Sequence, residues 1–92
     1  MPVSVMNIGF GNYVVKEKVV AIVGTDSAPL RRAIQEARRV GQLVDATQGR
    51  RTRSAIFIDN RQIIISGLNQ ETLAKRLGGA RPTGESGDAE LG

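Results

Sequence analysis

Apolar positions follow one rhythm in the first quarter of the chain and another after it. Val5 to Ile8 and Asn12 to Val15 are short runs around Gly9-Phe10-Gly11, and Val19-Val20-Ala21-Ile22-Val23 is continuously apolar. Runs this short and this rich in β-branched residues predict three strands. The spacing then changes to threes and fours at Leu30, Ala33, Ile34, Ala37 and Val40, which predicts a helix from Ala28 to Val40. Ser27 suits its N-cap, Pro29 is tolerated in its first turn and Gly41 suits its end. Leu43 to Thr47 reads as strand, Gln48 to Thr52 as a polar connection, Ser54 to Asp59 and Gln62 to Ser66 as a hairpin turning at Asn60-Arg61. A short helix from Gln70 to Leu77, capped by Asn69 and stopped by Gly78-Gly79, completes the order. The fold class expected is α+β: a small, mostly antiparallel sheet with one main helix and a short C-terminal helix.

The strands Val19 to Val23, Ala55 to Ile58 and Ile63 to Ile65 do not alternate apolar with polar, so both faces of their sheet must leave water. One long and one short helix cover little more than one face. At about 25 cal/mol per Å2, exposed Ile and Val side chains would cost several kcal/mol. Self-association is the expected remedy, with a three-layer arrangement of the chain itself as the alternative. Residues 1–79 are expected to form the one folded domain and 80–92 a disordered acidic tail, because the stretch from Pro82 holds a single large apolar residue, Leu91.

The chain has no cysteine and no histidine, which removes disulfides, thiolate metal sites and the commonest acid–base group. No metal or cofactor is expected. The N-terminus lacks the layout of a signal peptide, and the apolar runs fall far short of the roughly 20 residues of a membrane helix, so a cytoplasmic protein is expected. Thirteen Lys and Arg oppose nine Asp and Glu. Arg31, Arg32, Arg38, Arg39, Arg50, Arg51 and Arg53 lie in one stretch whose acids are Glu36 and Asp45 alone. A local excess of positive charge on that scale points to a polyanionic partner.

Catalytic chemistry is harder to place. The carboxylates before the tail are scattered with no close pair, and no nucleophile and base can be matched, so the chain is expected not to be an enzyme. Asp45, near Thr47, could position a hydroxyl or bind magnesium, but is read as a structural group pairing with a neighbouring arginine. Gly9-Phe10-Gly11 starts like a dinucleotide fingerprint, but Val14 replaces the third glycine and no helix follows. Its glycines suit a tight bend, with Phe10 packing. Gln48-Gly49-Arg50-Arg51-Thr52-Arg53 differs in kind, because three guanidinium groups crowd a polar connection. Each guanidinium donates a two-pronged fork to phosphate oxygens and stays charged at any relevant pH.

Met6-Asn7-Ile8-Gly9-Phe10-Gly11-Asn12, Ser27-Ala28-Pro29-Leu30-Arg31-Arg32-Ala33-Ile34-Gln35-Glu36-Ala37-Arg38 and Val44-Asp45-Ala46-Thr47-Gln48-Gly49-Arg50-Arg51-Thr52-Arg53, in this order, resemble the RemA family of bacterial extracellular-matrix regulatory proteins. The likeness runs over about residues 3 to 77. It implies a DNA-binding transcriptional regulator of biofilm-matrix genes with a LytTR-like fold, assembled as a closed-ring homo-oligomer. It also implies DNA-binding roles for Arg50 and Arg51, with Arg53 in the same motif and Lys18 where the family has arginine. The partner expected is double-stranded DNA in promoter regions, AT-rich, bent or wrapped along a track of repeated arginines and selected more by deformability than by base edges. The alternatives are a non-catalytic scaffold ring whose arginines pair with acids of adjacent subunits, and an RNA-binding protein. The latter is disfavoured because Phe10, Tyr13 and Phe57 are the only aromatics and none interleaves with the arginines.

Overall fold

The computed structural model describes residues 4–78. The expected acidic tail, 80–92, lies outside them. The elements are β1 (Val5–Gly9), β2 (Asn12–Val15), a 3-10 turn (Lys16–Lys18), β3 (Val19–Gly24), α1 (Ala28–Arg39), β4 (Leu43–Asp45), β5 (Ser54–Ile58), β6 (Ile63–Ser66) and α2 (Gln70–Gly78). The order matches the one expected from the apolar spacing; the 3-10 turn is additional and β4 stops short of Thr47.

β1 and β2 form a separate two-stranded ribbon, while the main sheet has the order β3-β5-β6-β4. β5 is antiparallel to both β3 and β6, and β4 is parallel to β6. The sheet is thus mostly antiparallel. β3, β4 and β6 all run one way, which brings their C-terminal ends and the N-terminal start of β5 to a single end of the sheet.

Side chains of the central strands alternate between two apolar layers. On one face Ala55, Ile63 and Ile65 pack with Ile34 and Ala37 of α1. On the other, Ile56 and Ile64 pack with Met6, Ile8 and Val14 of the ribbon and Leu73 of α2. The ribbon supplies the cover that the two helices alone could not: with α2 it covers the second face, so the chain buries its own sheet in three layers. The argument for self-association from an uncovered face therefore falls away. What stays open is edge and rim, with Val20 of β3 at 69% exposure, Tyr13 of β2 at 60% and Val44 of β4 at 42%.

Local chemistry sets the turns between layers. Ser27 Oγ accepts from the Leu30 amide at 3.2 Å and starts α1. At the other end Gly41 takes φ 78°, its amide donates to Arg38 and the Gln42 amide to Ala37, a Schellman closure that turns the chain toward β4. In the ribbon, Phe10 and Gly11 both have positive φ, as a type I′ hairpin turn requires. Asn7 Oδ1 accepts from the Gly9 amide, and Asn12 Nδ2 donates to the Gly9 carbonyl.

Buried serines tie the ribbon and the connection after β6 to the sheet. Ser66 Oγ donates to the Ile8 carbonyl at 2.8 Å and accepts from the Leu68 amide at 3.0 Å, and Ser54 Oγ donates to the Leu68 carbonyl. Both serines are fully buried, where an unmet polar group is costly. Ser66→Ala is expected to lower stability by about 1–3 kcal/mol. In urea unfolding this appears as a lower midpoint with an unchanged slope. An unchanged midpoint would assign the ribbon's attachment to apolar packing alone.

Candidate nucleic-acid interface

The arginine segment crosses the end of the sheet where β3, β4 and β6 finish. Its shape begins at Asp45, whose Oδ1 accepts from the Thr47 amide at 2.9 Å and from Thr47 Oγ1 at 2.6 Å. Gln48 and Gly49 then take φ 55° and 79°, and the Arg50 amide donates to the Thr47 carbonyl at 3.0 Å. This is a second tight turn built on two positive φ values, and Gly49 meets that requirement without a Cβ penalty. Beyond it, the Arg53 amide donates to the Ser66 carbonyl, which leads the segment into β5.

Asp45 is thus a turn-former rather than an arginine's ion-pair partner, contrary to the sequence reading. Its hydrogen bonds from the Thr47 hydroxyl and amide, with a smaller electrostatic contribution from Arg38, hold its carboxyl below the usual range. The Thr47 hydroxyl, on a residue 3% exposed, is committed to that carboxylate.

Successive arginines leave the segment on different sides. The Arg50 guanidinium lies 4.5 Å from the centre of the Phe10 ring, at the tip of the β1–β2 ribbon. Stacking of a cation on an aromatic face is favourable by about 0.5–1 kcal/mol at an exposed site. Phe10 is 44% exposed, so it supports an arginine at the surface instead of filling the core. Gly67 lies beside this pair: a Cβ there would make ordinary contact with the Arg50 Cβ at 3.5 Å and the Phe10 ring at 3.7 Å. Arg51 turns the other way, toward α1, into a cleft that Arg31 and Arg38 also line. Arg53 is exposed at the start of β5.

Among the described residues the ion pairs are Lys18 with Asp59 and Arg39 with Glu36. Arg50, Arg51 and Arg53 therefore present their charge without a carboxylate partner in that set. Lys18 stands elsewhere. It precedes β3, its Nζ lies 3.6 Å from Asp59, and its carbonyl accepts from the Asp59 amide at the far end of β5. The five residues of β5 separate it from Arg53 by roughly 17 Å. The role that the sequence did not single out is Phe10 as an arginine platform. Only the Gly-Phe-Gly turn hinted at it.

Asp45→Ala is expected to cost about 1–2 kcal/mol near neutral pH by removing both hydrogen bonds to Thr47. Because the folded-state pKa is depressed, this contribution is present above the unfolded value of about 4 and is lost as pH falls through the folded value. Chemical unfolding at pH 7 and pH 2.5 should show the gap between wild type and variant narrowing in acid; a pH-independent gap would contradict the assignment.

The sequence pattern of the RemA-like family, described as extracellular matrix regulatory protein A-like, matches residues 5–77. A Halothermothrix orenii protein is 51% identical over 79 residues, 86% of this chain and 94% of its own length. One from Geobacillus sp. strain WCH70 is 47% identical over 87 residues, 95% of this chain and all of its own. A third, from Oleidesulfovibrio alaskensis, is 55% identical over 71 residues, 77% of this chain and 84% of its own. All three carry the name "Putative regulatory protein". The match spans the ribbon, the sheet, both helices and the arginine segment, and the chain belongs to the RemA-like family.

Proposed function

We propose that this protein is a DNA-binding transcriptional regulator that holds the phosphate backbone of duplex DNA with Arg50, Arg51 and Arg53. The observation that carries this reading is the display of three guanidinium groups, free of carboxylate partners among the described residues, on one rigid end of the sheet. Phosphate contacts of this kind fix position and orientation on the duplex and supply most of the affinity. The relatives' names as regulatory proteins, not enzymes, agree with it.

In this reading the domain is LytTR-like and its copies close into a ring in the cytoplasm. The exposed edges of the sheet, Val20 on β3 and Val44 on β4, are where copies can meet. Each copy repeats the Arg50–Arg51 pair, so contacts that are weak singly act together at fixed spacing. Duplex DNA bends along that track, which favours deformable, AT-rich promoter sequence. Lys18, remote from the arginines within one chain, contributes from a neighbouring copy. Control of biofilm-matrix genes is the physiological role that follows from the family.

The test is duplex affinity measured across about 50–300 mM salt, with molar mass followed by light scattering. Wild type should show log affinity falling linearly and steeply with log salt. Arg50→Ala/Arg51→Ala should bind far more weakly, with a flatter slope, while keeping the wild-type mass. A flat, weak response in wild type would sink the reading and favour the scaffold ring. Phe10→Leu removes the platform under Arg50 and should weaken binding two- to fivefold, the equivalent of about 0.5–1 kcal/mol. No change would show that Arg50 is held by its backbone alone.

A further inference from the structure

The cleft between α1 and the arginine segment has a volume of about 430 Å3, within the range of small-molecule sites. Three guanidinium groups line it from two elements: Arg31 and Arg38 from α1, and Arg51 from the segment. Arg31 and Arg38 are two turns apart on one helix face, which sets their side chains along one wall. Asp26 is the one carboxylate in the lining, so the cleft carries a formal charge of about +2.

The guanidinium groups are lightly engaged. Arg31 Nη1 reaches the Thr25 carbonyl at 3.4 Å, a long contact, and Arg38 acts on Asp45 through space. Neither Arg31, Arg38 nor Arg51 belongs to an ion pair among the described residues. The rest of the lining is mixed: Thr25, Gln35 and Thr52 offer hydroxyl and amide groups, and Ile34 and Ile65, 8% and 2% exposed, lie beneath the cations. Thr25 Oγ1 donates to the Thr52 carbonyl at 3.3 Å and pins the segment to the end of β3, so the two sides are held together.

We infer that this cleft is a binding site for a small organic phosphate, with the phosphoryl group forked between Arg31, Arg38 and Arg51 and the organic body set against Ile34, Gln35 and Thr52. Inorganic phosphate would satisfy the cations and leave the rest of the lining unused, whereas a nucleotide also offers sugar hydroxyls and a base to Gln35, Thr52 and the edge of Ile34. Because Arg51 serves the cleft and, on the reading above, also the duplex, an occupied cleft competes with DNA. The site couples a metabolite to regulation without a second domain; the competition rests on that reading, but binding in the cleft does not.

Calorimetric titration of the full chain with AMP, ATP and inorganic phosphate, at constant ionic strength and without DNA, tests the site directly. One saturable site per chain is expected, tighter for a nucleotide than for inorganic phosphate by about tenfold and weakened about tenfold or more in Arg31→Gln/Arg38→Gln. Arg31→Lys/Arg38→Lys, which keeps the charge and loses the fork, should fall between the two. Absence of saturable nucleotide binding, or equal affinity in the Gln variant, overturns the proposal. Loss of duplex affinity in that variant with no nucleotide binding in wild type overturns it as well and gives the cleft to DNA backbone phosphate. Nucleotide binding in a protein that ignores DNA keeps the cleft assignment and removes only the competition.

Discussion

Burying a sheet whose strands are apolar on both faces is the requirement on which the rest of this molecule depends. Ile56 and Ile64 point one way, Ala55, Ile63 and Ile65 the other, and each set must find cover within a short chain. α1 supplies one cover with an amphipathic face. The β1–β2 ribbon and α2 supply the other, and where the strands end the Ser66 hydroxyl adds a hydrogen bond to the Ile8 carbonyl of the ribbon. Most connections are consequently short, and the longer arginine segment is confined to the end of the sheet where three strands finish together.

That confinement organises the charge. A polar connection between parallel-running β4 and antiparallel β5 has to reverse within a few residues, and it does so through the Asp45–Thr47 hydrogen bonds and the positive φ values at Gln48 and Gly49. The arginines that follow start from a fixed turn, so their direction is inherited from backbone geometry. Arg50 meets an aromatic platform and Arg51 meets the wall of α1. One stretch of sequence thereby serves two surfaces with different surroundings, one aromatic and one lined by further guanidinium groups.

Much of this was legible in the sequence. The helix from Ala28 announced itself through Ser27, the three-and-four spacing and Gly41, and the structure places the cap hydrogen bonds at those residues. The continuous apolar strands correctly required cover on both faces. The source of that cover was not legible, because Val5 to Val15 reads only as strand and its packing partner lies about fifty positions further along. Asp45 was misread for a related reason: arginines adjacent in sequence outnumbered the neighbouring threonine, yet the turn brings Thr47 to the carboxylate first. Proximity of Phe10 to Arg50, and separation of Lys18 from both, are properties of strand direction that no local pattern encodes. The arginine cluster itself, by contrast, was plain in the one-dimensional text.

The alternation of Arg50 and Arg51 has a consequence for how the segment can change over time. Its two ends are clamped, at Thr47 by the turn and at Arg53 by the Ser66 carbonyl. Adding or deleting one residue between these clamps would redirect both guanidinium groups, displacing one from its aromatic support and the other from the helix wall at once. Substitution at Arg50 disturbs the aromatic support alone, and substitution at Arg51 the helix wall alone. The spacing of this stretch is therefore held more rigidly by geometry than its composition, and descent with modification can retune each surface separately only while the residue count stays fixed.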